Sequence, residues 1–238
     1  SEINMDHIQR ILGIWVSPIK SFESFPQNIN PIHWLIPLIL IIASLSVSTY
    51  ISAPYAKDLQ YQMISQNPNI DEDDKAELLS GFEDGEDTMG MIMFVMAAGG
   101  AMIWYLMQSG IVYGIGTMIL GVTAPFLSFW FLVLMVNTTT LVEMLIKVPL
   151  IISTNSLQVE TGLSLLIPDS LTESFIYNFM FQFDFFSIWR VVLLGLGMSI
   201  IFQTEKKKTL GILFGLWVAY ALLSTILLNK SGFYMMRG

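Results

Sequence analysis

The sequence predicts an all-α integral membrane protein, a bundle of five transmembrane helices preceded by an amphipathic interfacial helix. Hydrophobic residues make up 54% of the 238 residues and charged residues only 13%, with a mean hydropathy of +0.63. Soluble domains carry about 25% charged residues, so this composition indicates that lipid is the main solvent. Residues 88–142 contain no Asp, Glu, Lys or Arg, and a helix of about 20 apolar residues crosses the roughly 30 Å hydrocarbon layer.

The first predicted element is an amphipathic helix in the N-terminal segment, residues 1–33. Pro18 would end this helix, which is too short to span a membrane. We expect it either to lie in the interface with Trp15 at headgroup depth or to pack on the protein's own helices. No short basic stretch precedes the first apolar run, so a cleaved signal peptide is not expected. Five apolar residues would share the face of this helix: Ile8, Ile11, Leu12, Trp15 and Val16.

Five apolar segments within residues 34–238 are predicted to span the membrane. Prolines bracket the first of them, at Pro31 and Pro54. The sequence "GVTAP" at 121–125 is a turn, and "TEKKK" at 204–208 is short enough to allow only a tight hairpin. The spans cover about 34–53, 89–120, 126–153, 184–203 and 209–229.

Two outer segments, 54–88 and 154–183, separate these spans. Ten of the nineteen acids fall between residues 58 and 87. Within this acidic insert, Asn69 and Glu72 fit a capping box that opens a short helix ending at Gly81, and the following "FEDGEDTMG" is predicted to be a loop. In the second segment, "SLTE" at 170–173 predicts the start of an interfacial helix. That helix would carry a row of residues spaced four apart: Leu171, Phe175, Phe179 and Phe183.

The distribution of Lys and Arg predicts a cytoplasmic N-terminus and an external C-terminus in a bacterial inner membrane. One side would hold Arg10, Lys20 and the three lysines of the 204–208 turn. The other side would hold four cationic residues in longer segments, so the margin is five to four. The three lysines decide the orientation because the rule is strongest in short loops. The four external cations are Lys57, Lys75, Lys230 and Arg237.

Few residues suit catalysis, and we predict no enzyme, no cofactor and no metal site. Both histidines, His7 and His33, lie near the N-terminal interface, and neither a His-Glu-x-x-His nor a Gly-x-Ser-x-Gly motif occurs. The chain has no cysteine, which excludes thiol catalysis. The acidic insert lacks the 12-residue pattern of an EF-hand, so a solvated loop is favoured over a cation site. No basic surface suggests nucleic acid.

The third span contains a candidate intramembrane polar site made of Asn137, Glu143 and Lys147. Glu143 precedes Lys147 by four residues, a spacing that favours an ion pair on one helix face. Ionisable groups in spans often line a transport path. The alternative is a mutually neutralised pair near the end of an overlong helix. The neighbouring threonine hydroxyls are expected to bond to their own backbone carbonyls.

The fourth span begins with charged and aromatic residues whose roles differ. Asp184 is expected to cap the helix N-terminus, with a role in binding a partner as the alternative. Trp189 and Arg190 are expected at the outer interface, where the arginine would reach headgroup phosphates.

Two GxxxG patterns occur in the spans. Gly110 and Gly114 lie in the second span, and Gly211 and Gly215 in the fifth. Small residues at this spacing let helices approach closely, which predicts tight packing within the chain and permits a homo-oligomer.

Two short stretches resemble the Yip integral membrane protein family (the Rab-interacting Yip domain family) in its prokaryotic branch. "SPIKSFESF" supplies the family's proline and phenylalanine, and "DFFSIWRVVLLGLGM" supplies its Asp, Phe, Trp, Leu and Gly, although Arg190 is not part of that pattern. The resemblance implies five spans with a cytosolic N-terminus and a non-enzymatic component that works through partners. In eukaryotes this means vesicle trafficking, and in bacteria an accessory to export machinery such as ABC-type efflux systems. The matching residues are Pro18, Phe22, Asp184, Phe186, Trp189, Leu193 and Gly195.

Two functions therefore stand as hypotheses. The first is an adaptor, scaffold or accessory subunit that binds a membrane-protein partner such as a transporter subunit. The second is a small-solute or ion transporter or channel with its path along the polar third span. The absence of an evident inverted repeat in the sequence favours the first.

Overall fold

The computed structural model describes residues 7–230 except 66, 68–69, 85, 156–158, 160, 169–170 and 172–173. A π-helical turn, Ile115–Ile119, continues α5, and a 3-10 turn, Leu163–Leu166, precedes α8. The α-helices of this described part are α1 His7–Val16, α2 Pro18–Glu23, α3 Pro31–Ser65, α4 Glu72–Asp84, α5 Glu86–Gly114, α6 Phe126–Asn137, α7 Thr139–Thr154, α8 Phe175–Phe181, α9 Phe185–Ile201 and α10 Lys206–Lys230.

Four stretches of the described helices are long and apolar enough to cross a membrane. They correspond to the predicted first, second, third and fifth spans. The predicted fourth span is α9, whose 17 residues rise about 26 Å at 1.5 Å per residue, less than the roughly 30 Å hydrocarbon layer. Length alone therefore does not make α9 a fifth span. The four stretches are Pro31–Tyr55, Phe94–Ile119, Phe126–Thr154 and Lys206–Leu227.

The acidic insert is more helical than predicted. Helix α3 continues through Pro54 to Ser65. Pro54 lacks a backbone N–H and so removes one helical hydrogen bond, but it does not end the helix. Helix α4 begins with three acids at its positive end, where acids stabilise a helix. The prediction of a loop over "FEDGEDTMG" is wrong, since α4 reaches Asp84 and α5 begins at Glu86. The predicted N-cap, Asn69, lies outside the described residues.

The helix predicted from "SLTE" begins later than expected. Residues 170, 172 and 173 lie outside the described part, and α8 starts at Phe175 with Ser174 as its N-cap. The Ser174 hydroxyl accepts a backbone N–H of the first turn at 3.1 Å. The aromatic row packs on protein as well as on itself, since Phe183 lies 4.8 Å from Trp217 of α10 between ring centroids.

The chain divides into two compact units. The first comprises the described residues within 1–41, 104–143 and 160–238, and the second those within 42–103 and 144–159. The second unit contains most of α3, all of α4, the first part of α5 and most of α7. The first unit contains the buried hydrophobic core cluster.

The core of the first unit is built around α6. Its sequence, FLSFWFLVLMVN, is apolar on every side, which is typical of a helix buried on all sides. Residues 129–136 are each at most 4% exposed. Helix α9 packs on α6 and on α10 and contributes Leu193 and Met198 to the core. The predicted third span is therefore two helices, α6 and α7, which meet at Thr138.

Helix α1 packs on α2 and α6, which agrees with the second of its two predicted placements. Its inward face differs from the predicted one, because Ile14 is fully buried beside Ile11. Three residues of the predicted apolar face remain exposed, so α1 has apolar side chains both toward the protein and away from it. They are Ile8, Leu12 and Val16.

Two polar contacts explain how α1 is oriented. The Trp15 Nε1–H donates to Thr138 Oγ1 at 3.3 Å. Arg10 is 6% exposed, and its Nε–H donates to Ser24 Oγ at 3.3 Å. Arg10 is therefore buried together with a polar partner, as buried polar groups usually are.

Helix α2 is held against α9 by a close approach. Pro18 occupies the first turn of α2, where a missing N–H leaves no helical bond unmade. Phe22 is 1% exposed. A Cβ added to Gly197 of α9 would lie 2.9 Å from the Phe22 ring and 2.6 Å from a Leu132 methyl group. Gly197 therefore makes room for α2 on α9.

The two GxxxG patterns do not pack closely within the chain. Beyond its chain neighbours and its own helical backbone, a Cβ added to Gly110, Gly114, Gly211 or Gly215 would meet no described atom within 4 Å. The prediction of tight intrachain packing at these four positions is therefore wrong. The close helix contacts lie instead at Gly116, Gly195 and Gly197, outside either pattern. Glycine spacing alone does not say which face of a helix meets a neighbour.

Candidate functional site

A cavity of about 580 Å³ lies within the first unit, between residues of α5, α6, α7, α9 and α10. Its volume falls within the roughly 300–1,000 Å³ of typical small-molecule sites. Much of its wall is apolar, with side chains such as Ile111, Val112, Leu194 and Leu213. Polar side chains also line it: Gln108, Asn137, Thr140, Glu143, Ser187 and Arg190.

An ion pair joins α7 and α9 in this cavity. Arg190 Nη1 donates to Glu143 Oε2 at 2.5 Å, and the two side chains are 22% and 10% exposed. The Arg190 guanidinium, which the sequence predicts to reach headgroup phosphates, is bonded to Glu143 on a neighbouring helix. Pairing is expected physically, since an isolated charge among apolar helices is costly. Lys147 lies one turn further along α7, outside the first unit.

The structure confirms that Asp184 caps α9. Its Oδ1 accepts the backbone N–H groups of Phe186 at 2.8 Å and Ser187 at 3.2 Å. Its Oδ2 accepts the Ser187 hydroxyl at 2.5 Å. Arg190 Nη2 lies 3.5 Å from the same hydroxyl oxygen. Asp184 and Arg190 are therefore linked through Ser187, and the network continues from Arg190 to Glu143.

A short antiparallel bridge between Gly162 and Asp184 fixes the start of α9. The Leu163 N–H donates to the Phe183 carbonyl at 3.1 Å, and the Phe185 N–H donates to the Thr161 carbonyl at 3.3 Å. A Cβ on Gly162 would lie 2.6 Å from that Phe183 oxygen, so this approach requires glycine. The outer segment thereby holds the capping carboxylate in place.

Asn137 connects α6 to α5. Its Nδ2 donates to Gln108 Oε1 at 2.9 Å and to the Val133 carbonyl at 2.8 Å. Sequence reasoning missed Gln108, although an amide inside a charge-free span is a signal that a polar partner is needed. The predicted back-bonding is confirmed, since Thr138 and Thr139 donate to carbonyls three residues earlier at 2.6 and 2.8 Å.

The motif residues lie on two helices that pack together, α2 and α9. Phe186 is 2% exposed and belongs to the buried core. Trp189 packs against the same core and lies 5.9 Å from Phe185 between ring centroids. Pro18 and Phe22 form the start and the buried contact of α2. The motif therefore encodes the docking of the N-terminal segment and the capped start of α9.

Comparison with known proteins places the chain in a family. A search of curated proteins and a search of solved structures each found no significant match. Residues 12–228, nearly the whole chain and including every motif residue, match the family model of the Yip1 domain. The chain, an α-helical protein with several membrane-capable helices, therefore belongs to the Yip1 domain family.

Proposed function

We propose that this protein is a non-enzymatic membrane adaptor, a scaffold or accessory subunit for transport or trafficking machinery such as an ABC-type exporter. The observation that carries the proposal is the Yip1 domain match over residues 12–228. The charges at the candidate site support it, because Asp184 serves as a helix cap and Arg190 is paired with Glu143. The helix cap and the ion pair are structural roles, and neither of them involves catalysis.

We further propose five membrane crossings, with α9 as the fourth and the N-terminus in the cytoplasm of a bacterial cell. Helix α9 packs between α6 and α10, two helices that belong to spans by length and composition. A helix shielded by protein need not match the full hydrocarbon thickness, because neighbouring helices cover its ends. Lys206, Lys207 and Lys208 begin α10 after the four residues that follow α9, and they favour the cytoplasmic side.

The adaptor proposal is tested by isolating the tagged protein from its native membranes in mild detergent. We expect a second membrane protein, a subunit of a transport complex, to co-purify in a fixed ratio. A multi-span protein with the same tag serves as the control for non-specific association. Isolation of the chain alone, together with solute flux when it is reconstituted by itself in vesicles, contradicts the proposal.

The cavity supports a second candidate, a transporter or channel for a small solute or ion. Glu143 and Asn137 of the polar third span both line it. If they form a path, Glu143→Gln should abolish flux in vesicles while the amount of membrane protein stays unchanged. An equal loss of protein instead favours the structural role of Glu143, because the substitution breaks its pair with Arg190.

A further inference from the structure

We propose that the cavity of the first unit binds a zwitterionic phospholipid, with the phosphate beside Arg190 and the ammonium beside Glu143. This inference goes beyond the adaptor proposal and holds whether or not that proposal does. It rests on three features of the cavity: a paired cation and anion among its lining residues, apolar walls, and exposed apolar residues along its edge.

The ion pair offers both signs of charge to one ligand. A guanidinium has five N–H donors, and a carboxylate accepts about four hydrogen bonds. The bonds of Arg190 to Glu143 and Ser187 occupy two of those donors. A ligand with one anionic and one cationic group therefore adds bonds to both partners without leaving either charge uncompensated, which a purely anionic ligand does not do.

Exposed apolar residues of α5 and α10 line one part of the cavity. Trp104 on α5 and Tyr220 on α10 lie 6.2 Å apart between ring centroids and are each about half exposed. Further lining residues, Met107, Ile111 and Leu216, are 56%, 59% and 46% exposed. In a membrane these side chains face acyl chains, so a lipid tail can leave the cavity sideways.

The position of Arg190 along α9 suits a head group. It is the sixth residue of the helix, about 8 Å along the axis from the first residue at 1.5 Å per residue. A phosphate bound there stays close to the end of the helix. The 580 Å³ volume accommodates the head group and the first part of a chain, while the remaining tail stays in the bilayer.

The test measures which lipid stays bound. The full chain is reconstituted with equal amounts of phosphatidylethanolamine and phosphatidylglycerol, extracted in mild detergent, and analysed for bound lipid by native mass spectrometry. We expect about a tenfold enrichment of phosphatidylethanolamine, since one charge-assisted hydrogen bond corresponds to about that factor. Equal binding of the two lipids, or enrichment of phosphatidylglycerol, overturns the proposal.

Two variants locate the site. In Glu143→Gln with Arg190→Gln both charges are removed together, so no unpaired charge remains, and the enrichment should disappear. Leu216→Trp fills the cavity from an exposed position and should reduce bound lipid several-fold. Its matched control is Leu223→Trp, on an exposed position two turns further along α10 and not among the lining residues. Equal lipid binding by Leu216→Trp and Leu223→Trp overturns the proposal even if the double variant fails to fold.

A competition experiment distinguishes a bound lipid from a bound soluble zwitterion. Soluble phosphoethanolamine carries the same two charges without a tail. We expect millimolar phosphoethanolamine to leave the bound lipid in place, because the apolar walls contribute to affinity. Displacement of the lipid by phosphoethanolamine would assign the site to a soluble ligand and overturn the lipid proposal.

Discussion

The charged residues of α9 show what a sequence predicts well at the scale of single residues. The Asp184 cap is local, since its partners are the backbone groups two and three residues further on. Residue type and position relative to the apolar run therefore suffice to predict it. The Arg190 partner is 47 residues away, and no spacing rule connects residues on different helices. The sequence indicated two opposite charges in neighbouring spans but not that they meet.

Breaking this ion pair from one side should destabilise the protein more than removing it entirely. Arg190→Gln and Glu143→Gln should each lower the free energy of unfolding by about 3 kcal/mol, because each leaves a charge uncompensated among apolar helices. The double variant should lose clearly less than the sum. Unfolding in mixed detergent micelles measures the coupling, and simple additivity of the two single effects would contradict the pairing.

The cap predicts a graded effect of substitutions at Asp184. Asp184→Ala should lower the free energy of unfolding by about 1 kcal/mol, whereas Asp184→Asn should cost less because asparagine also accepts the N–H groups of the first turn. The same unfolding assay compares the two. If Asp184→Ala leaves stability intact yet abolishes co-purification of a partner, Asp184 is instead an interaction residue.

At the scale of elements, helices follow from composition but their contacts do not. The apolar runs and the turns at 121–125 and 204–208 predict most helices, but α3 passes through Pro54, and α4 and α5 extend to Asp84 and from Glu86. Pro54 costs α3 a backbone hydrogen bond without ending the helix. Glu86 and Asp87 begin α5, where the helix dipole favours acids. The GxxxG spacing predicts close packing at the wrong glycines for another reason. Which glycine approaches a neighbour depends on tertiary packing, and Gly197 belongs to neither pattern.

The contact between α2 and α9 can be tested with two glycines of different surroundings. Gly197→Ala should destabilise the protein, because the new methyl group would meet the buried Phe22 ring and Leu132. Gly211→Ala is the control and should be neutral or stabilising by about 0.5–1 kcal/mol, since alanine favours a helix and space is open there. Thermal unfolding in detergent measures both. Equal effects would mean that α2 does not pack closely on α9.

At the scale of the whole molecule, the order of apolar segments was predictable because it depends on composition over some 20 residues at a time. The path of the chain across the membrane is a separate question. The proposed arrangement puts residues 54–88 and 154–183 outside and the 204–208 turn inside. A chain in which α9 does not cross would put 154–183 and 204–208 on one side.

Single-cysteine labelling distinguishes these arrangements, and the natural absence of cysteine makes the background clean. Lys75→Cys and Leu171→Cys should react with a membrane-impermeant thiol reagent added outside intact cells. Lys207→Cys should react only after the membrane is opened, because three lysines favour the cytoplasm. Labelling of positions 171 and 207 from the same side would contradict a crossing by α9, and labelling of position 75 from inside only would reverse the orientation.

The π-helical turn at Ile115–Ile119 has a consequence for sequence length. Its Leu120 N–H bonds to the Ile115 carbonyl five residues earlier at 3.0 Å, one residue more than an α-helical bond spans. A chain shortened by one residue here would close an ordinary α-turn. Single-residue deletions should therefore be tolerated better in this turn than elsewhere in α5, and relatives of different length are expected to differ at this point.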